Sequence, residues 1–353
     1  MNPNPSRLYR CIISPGIAEI RSNVKFIPDF YPITFGSREV PRQTSNQICI
    51  TFLVGDVKQP QGLLQFTTMG GEKGKDGLYY ERALLGSLKA KMELRDLHAH
   101  PKITVNRTYY KLGRIRVASF YSIGTLLRDI LSAKLLMQGY VPLHGAAFST
   151  SEEGILIVGP PCTGKTVILS EAIRQGFKYV ADELVVADSE ACLHAGSIST
   201  LAYELEKLTN LRSYQKKRFW RAEFLNFLSS KIPLAGILWR PPYISISSLI
   251  PEVEFSAQAK TRFIFILIRG SSQIRKLPPA EALQMLISLN KLEFSYAENE
   301  ILLCYSLLNP WLDFSQLRHK EEQLLQKMVE QSSCYLCSAP QPSQYFSLIR
   351  RKI

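Results

Sequence analysis

Gly159-Pro160-Pro161-Cys162-Thr163-Gly164-Lys165-Thr166 satisfies the phosphate-binding pattern G-x-x-x-x-G-K-[ST] at every specified position. Glycines at the two ends let the backbone curl until several N–H groups converge on one phosphate. A helix that follows adds the positive end of its dipole. Lys165 would bridge the outer phosphates, and the Thr166 hydroxyl would hold Mg²⁺, a cation that favours oxygen ligands shared with phosphate. The expected ligand is a nucleoside triphosphate with Mg²⁺, lodged against Gly159, Cys162, Thr163, Gly164, Lys165 and Thr166.

Two further groups belong to the same reading. Asp182 and Glu183 follow the apolar run Phe177 to Ala181, which reads as a strand ending at these acids. That end would share a sheet edge with the phosphate loop, where open α/β sheets bind ligands. Upstream, His144 lies in Val141-Pro142-Leu143-His144-Gly145-Ala146-Ala147-Phe148. It falls between an apolar helix, about Phe120 to Gln138, and a strand expected beside the phosphate-loop strand.

The elements that must position these residues can be read directly. Gly154 to Val158 is a short β-branched run of the kind found in buried parallel strands. Val167, Ile168, Ala172 and Ile173 recur at helical spacing, and Gly176 suits the left-handed residue that ends such a helix. The acidic strand follows the first helix directly. In motor and transport ATPases it lies much farther along the chain, so the arrangement points away from those machines.

The set Leu143-His144-Gly145, the loop Gly159 to Thr166, and Val180-Ala181-Asp182-Glu183 resembles the kinase domain of HPr kinase/phosphorylase and its relatives. That group includes kinases of lasso-peptide precursors and shares a phosphate-loop core with the phosphoenolpyruvate carboxykinases. The resemblance covers about Phe120 to Ala195, extends toward the C-terminus, and leaves roughly the first hundred residues unexplained.

The resemblance implies roles residue by residue. Lys165 contacts the nucleotide phosphates, and Thr166 coordinates Mg²⁺ where a serine is common in the family. Asp182 accepts the proton of the attacking hydroxyl and stands beside the metal, and His144 hydrogen-bonds and orients that carboxylate. Glu183 stands where relatives have a second Asp, so its metal role is open. A later acidic-arginine-glycine signature, tied in the bifunctional enzymes to removing phosphate, has no convincing copy after Asp188. Kinase activity without phosphorolysis is the expectation. Pro160 and Pro161 stand where relatives have small polar residues; they stiffen the loop and each remove a backbone donor, while Cys162 reads as a space-filler.

Composition fits an ordinary globular enzyme, with 353 residues, 46% hydrophobic and 21% charged. No apolar run approaches transmembrane length, and Met1 to Ser6 lacks the order of a signal peptide, so the expected location is the cytoplasm with no membrane partner. Seven cysteines form no framework, and Cys334-Tyr335-Leu336-Cys337 reads as a late core strand rather than a zinc knuckle.

The fold class expected is α/β: a phosphate-loop kinase core of the HPr-kinase/phosphoenolpyruvate-carboxykinase type over 111–353, after a small N-terminal α+β domain over 1–110. In the first part, strands are expected at Gln47 to Val54 and Gly62 to Thr68, a loop at Gly70 to Gly77 and a helix at Tyr79 to Leu94. In the second, Leu184 to Ala187 with Ala191 to His194 reads as a hairpin, Arg262 to Ile268 as a central strand, and Ala280 to Leu289 and Lys320 to Gln331 as helices. An insertion at about 197–251 is basic and aromatic, with Arg212, Lys216, Lys217, Arg218 and Arg221 among Tyr214, Phe219 and Trp220. It is either a solvated helix face or an acceptor-binding segment.

The net charge of +13 keeps a nucleic-acid-stimulated NTPase open as a rival, but the basic residues are spread over the chain with no nucleic-acid module. A second rival is a small-molecule kinase or carboxykinase. The leading expectation is an ATP- and Mg²⁺-dependent kinase acting on a hydroxyl, that of Ser in a peptide or protein such as a peptide-natural-product precursor. Oligomers among relatives make a homo-oligomer a further implication of the resemblance.

Overall fold

A computed structural model describes residues 8–24, 27, 47–59, 64–66, 68–71, 75–83, 88–115, 121–151, 153–196, 199–201, 243–245 and 252–353. They belong to two compact units, Met1–Met137 with Phe294–Arg318, and Gln138–Glu293 with His319–Ile353.

The first unit carries an eight-stranded mixed sheet made of β1 (Tyr9–Ser14), β2 (Ala18–Ser22), β3 (Ile48–Val54), β4 (Leu64–Phe66), β5 (Met69–Gly71), β6 (Gly77–Ala83), β7 (Lys89–Arg95) and β8 (Lys102–Val105). Its strand order is β1-β2-β3-β8-β7-β6-β5-β4. In β3, Ile48, Ile50, Phe52 and Val54 are buried in strict alternation, the pleat's period of two. Helix α1 (Arg107–Ile115) and the apolar α2 (Ile123–Met137) follow. The helix Glu300–Leu308 is capped by Asn299, whose side-chain oxygen accepts from the Ile301 and Leu302 N–H groups while its amide donates to Asp129 at 2.8 Å.

The helix expected over Tyr79 to Leu94 is instead the antiparallel pair β6 and β7, with Leu78 opposite Leu94 and Tyr80 opposite Met92. Leu85, Leu88 and Met92 have helical spacing. The alternation of Leu78 and Tyr80, and of Ala90, Met92 and Leu94, outweighs it, because those five side chains are buried in the sheet. The loop expected from Gly70 likewise begins as strand β5.

The second unit is built on β9 (Val141–Ser149), β10 (Glu153–Val158), β11 (Lys178–Ala187), β12 (Cys192–His194), β15 (Gln258–Arg269), β16 (Gln273–Lys276) and β17 (Ser333–Ala339); β13 (Ser199–Leu201) and β14 (Tyr243–Ser245) pair separately. The order is β10-β9-β11-β12-β15-β17-β16, and a further pairing of β10 with β15 closes β10, β9, β11, β12 and β15 into a ring. β10, β15 and β17 run parallel, whereas β9 is antiparallel to both β10 and β11. Ile155, Leu156 and Ile157 are fully buried, as expected for a strand covered on both faces.

Helix α3 (Lys165–Arg174) packs Ile168, Leu169, Ala172 and Ile173 into the core that holds Phe148, Ile155, Ile157, Tyr179 and Phe265. Each large apolar side chain buried there contributes about 1.5–3 kcal/mol. The helix stops at Gly176, which takes the left-handed conformation at φ 85°. Helix α4 (Pro279–Glu293) extends four residues beyond the expected Leu289, and the helix expected at Lys320 is Phe314–Glu330.

Two expectations about this unit are corrected. The strand thought to end at Asp182 and Glu183 continues to Ala187, because Val185, Val186 and Ala187 are all buried in pairing with β9. His144 lies within β9, not before it. The hairpin formed by β11 and β12 is as expected, its turn held by Asp188 Oδ1 accepting from the Glu190 and Cys192 N–H groups. The basic and aromatic residues of the expected insertion, Arg212 to Arg221, fall outside the described residues.

Candidate functional site: a phosphate loop beside two carboxylates

Sheet register brings the parts together. Gly145 of β9 lies opposite Val158, the last residue of β10, and also opposite Glu183 of β11. The mouth of the loop, the acidic pair and His144, one row further along β9, therefore share one sheet edge. The site residues expected from sequence, Gly159, Cys162, Thr163, Gly164, Lys165, Thr166, His144, Asp182 and Glu183, all converge here.

Glycine is required at both ends of the loop by close approach. A Cβ on Gly159 would lie 2.9 Å from the Leu267 carbonyl oxygen. One on Gly164, at φ 108°, would lie 2.7 Å from Pro342 Cβ. Between them Cys162 is left-handed at φ 61°, and Thr163 Oγ1 donates to the Pro160 carbonyl at 2.8 Å. Among the described residues, the N–H groups of Cys162, Thr163 and Gly164 donate no hydrogen bond. Adjacent unbonded amides at the start of a helix form an anion nest.

Lys165 is buried and its ammonium donates to the Gly159 and Pro160 carbonyls at 2.9 and 3.1 Å. Burial pushes its pKa below the usual lysine value, and the charges of Glu183 and Asp182 work in the opposite direction. The Thr166 hydroxyl sits 3.2 Å from Asp182 Oδ2 and 3.4 Å from Oδ1. Asp182 is 1% exposed, and its Oδ1 also accepts the Glu183 N–H at 3.1 Å.

In a regular pleat, neighbouring residues 182 and 183 would point to opposite faces. Glu183 breaks the alternation at φ 68°, and both carboxylates act on Lys165. A left-handed non-glycine at a sheet edge costs strain of order 1–3 kcal/mol, a cost tolerated where function needs the geometry. His144 Nδ1 lies 3.1 Å from the Glu183 carbonyl oxygen and 3.8 Å from its carboxylate. A carbonyl only accepts, so Nδ1 carries the proton in that bond. His144 thus fastens the strained residue next to Asp182.

A cleft opens beside the loop, lined by His144, Gly159, Pro160 and Pro161 on one side and by Leu286, Leu289, Leu292 and Glu293 of α4 on the other. Sequence reasoning missed the part of α4, and also missed Arg269, whose guanidinium donates to the Cys162 carbonyl. The signal for Arg269 was its place at the end of the apolar run Phe263 to Ile268, the strand parallel to β10.

The oxygen donors Thr166 and Asp182, with Glu183 adjacent, form the kind of set that hard cations such as Mg²⁺ share with phosphate. Among the described residues, no group of three His, Cys, Asp or Glu side chains is arranged to hold a metal by itself. No described helix is long and apolar enough to cross a membrane.

No family model matches the chain, and no curated protein matches it. Among solved structures, the Hpr(Ser) kinase/phosphatase from Coxiella burnetii is similar over 38% of this chain and 70% of that one, with 12% identity and a TM-score of 0.25. A likeness that slight carries no weight here. What the residues themselves form is a mixed α/β unit with a glycine-bounded loop between strand β10 and helix α3.

Proposed function

We propose that the chain is an ATP-dependent phosphotransferase whose acceptor is a hydroxyl, that of Ser in a peptide or protein. The observation that carries this reading is the contact between the Thr166 hydroxyl and the Asp182 carboxylate, 3.2 Å apart, beside the unbonded amides of Cys162, Thr163 and Gly164. The amides and Lys165 receive the outer phosphates. Thr166 with Asp182 and Glu183 would hold Mg²⁺, which would supply charge neutralisation on those phosphates.

In the transfer, the acceptor oxygen forms a bond to the terminal phosphorus as the bond from that phosphorus to the nucleoside diphosphate breaks. The hydroxyl proton passes to Asp182. Its place is set by the Thr166 hydroxyl and the Glu183 N–H, and His144 keeps Glu183 in its left-handed turn.

The test is a mass measurement. The protein, ATP and Mg²⁺ are incubated with candidate peptides and with the products of neighbouring genes, and each is examined for one added phosphate on Ser. Phosphate on such a product supports the reading. Hydrolysis alone, stimulated by DNA or RNA and falling steeply with salt, would place the chain with nucleic-acid-dependent NTPases instead.

A further inference from the structure

Arg269 ends β15 at the same sheet edge as the phosphate loop, three positions beyond Ile266, which pairs with Val158. Its guanidinium donates through Nη2 to the Cys162 carbonyl and through Nη1 to the Pro340 carbonyl, each at 3.2 Å. Among the described residues it forms no ion pair with a carboxylate. A full positive charge therefore rests on the outside of the loop, its hydrogen bonds among the described residues made to backbone oxygens.

The peptide it grips is the strained one. Cys162 is left-handed at φ 61°, a conformation that a side-chain-bearing residue keeps only when its surroundings enforce it. Across a trans peptide the carbonyl and the next N–H point in opposite directions. A carbonyl of Cys162 tied outward to Arg269 leaves the Thr163 N–H on the other side, and that N–H donates no hydrogen bond among the described residues. Were the peptide to flip, a carbonyl oxygen would face the bound anion in place of a donor.

We propose that Arg269 is a positioning residue for the nucleotide: by holding the Cys162 carbonyl outward it keeps the Thr163 N–H presented to phosphate. Pro342 seats Gly164 from the same C-terminal segment that offers its Pro340 carbonyl to Arg269, so strand β15, that segment and the loop form one clasp. This inference rests on the phosphate-binding reading of the loop.

The experiment titrates ATP into Arg269→Ala, Arg269→Gln, Lys165→Ala and the double variant Cys162→Gly/Arg269→Ala, each checked for an unchanged fold by circular dichroism. Loss of a charged hydrogen bond predicts about a tenfold weaker binding for Arg269→Ala. KM for ATP should rise with kcat changed much less. Arg269→Gln, which donates to a carbonyl without charge, should recover part of the affinity. The double variant should recover most of it, because glycine adopts the left-handed turn without a clasp. Recovery by neither variant would mean that Arg269 acts by charge alone and overturns the inference. Unchanged affinity in Arg269→Ala with loss in Lys165→Ala overturns it too, while the phosphate-binding reading stands. Unchanged affinity in both variants overturns the phosphate-binding reading itself.

Discussion

The Thr166 hydroxyl and the Asp182 carboxylate meet at 3.2 Å, although 16 positions separate them in the chain. One lies in the first turn of helix α3 and the other inside β11, the next strand in the chain, so the contact ties that strand to the helix that leaves the loop. Thr166→Ser keeps the hydroxyl and should retain transfer at a similar Mg²⁺ requirement. Thr166→Val removes it, and transfer should fall by about 10² or more with a raised Mg²⁺ requirement. A Thr166→Val enzyme titrating with Mg²⁺ like the parent would separate Thr166 from the metal.

Asp182→Asn keeps the shape of the side chain and loses the carboxylate that takes the proton. ATP binding should persist while transfer falls by about 10² to 10⁴. His144→Ala should cost less, since His144 fastens Glu183 through its carbonyl and exchanges no proton in the transfer. Single-turnover kinetics on both variants decides the matter. Full activity in Asp182→Asn with loss in Glu183→Gln would move the base to Glu183.

Lys165 should make nucleotide affinity depend on pH. Its pKa in the folded chain is lowered by burial from the ordinary 10.5. Between the lowered value and 10.5 the unfolded chain binds the extra proton, so stability rises with pH there. The ammonium is lost across the same window, and phosphate affinity should fall as pH rises through it. Calorimetry in two buffers of different ionisation enthalpy should show proton uptake on ATP binding in that window, and Lys165→Ala should abolish both effects. Proton release in place of uptake would assign the dependence to another group.

Gly164→Ala places a Cβ 2.7 Å from Pro342 Cβ in a residue at φ 108°. Gly176→Ala faces only the backbone strain of φ 85°, with nothing within 4 Å. Thermal melting should show Gly176→Ala losing about 1 kcal/mol and Gly164→Ala more than that, with ATP no longer raising the melting temperature of the latter. Equal losses would mean that the Pro342 contact relaxes without cost.

Much of the site was readable because its signals are local. The loop motif, the apolar run of β10, the spacing of Ile168, Ala172 and Ile173, and Gly176 all lie within one stretch of chain, and the strand, the helix and its left-handed glycine end took the form expected. What escaped depended on partners distant in sequence. Arg269 reaches Cys162 from 107 positions away, and Pro342 seats Gly164 from the C-terminal segment. The left-handed turn at Glu183 has no signature in residue type, since glutamate rarely adopts it. The β6 and β7 hairpin was hidden by leucines at helical spacing around Gly86, and only burial in the sheet decides between the two periods.

The central claim is that the loop from Gly159 to Thr166 binds a nucleoside triphosphate, with Lys165 as its only cationic side chain. Isothermal titration of Mg·ATP into the parent protein and into Lys165→Ala tests it most directly. Saturable one-to-one binding to the parent is expected, with at least a tenfold loss in the variant. Equal binding by both proteins, or no binding by a folded parent, would contradict it.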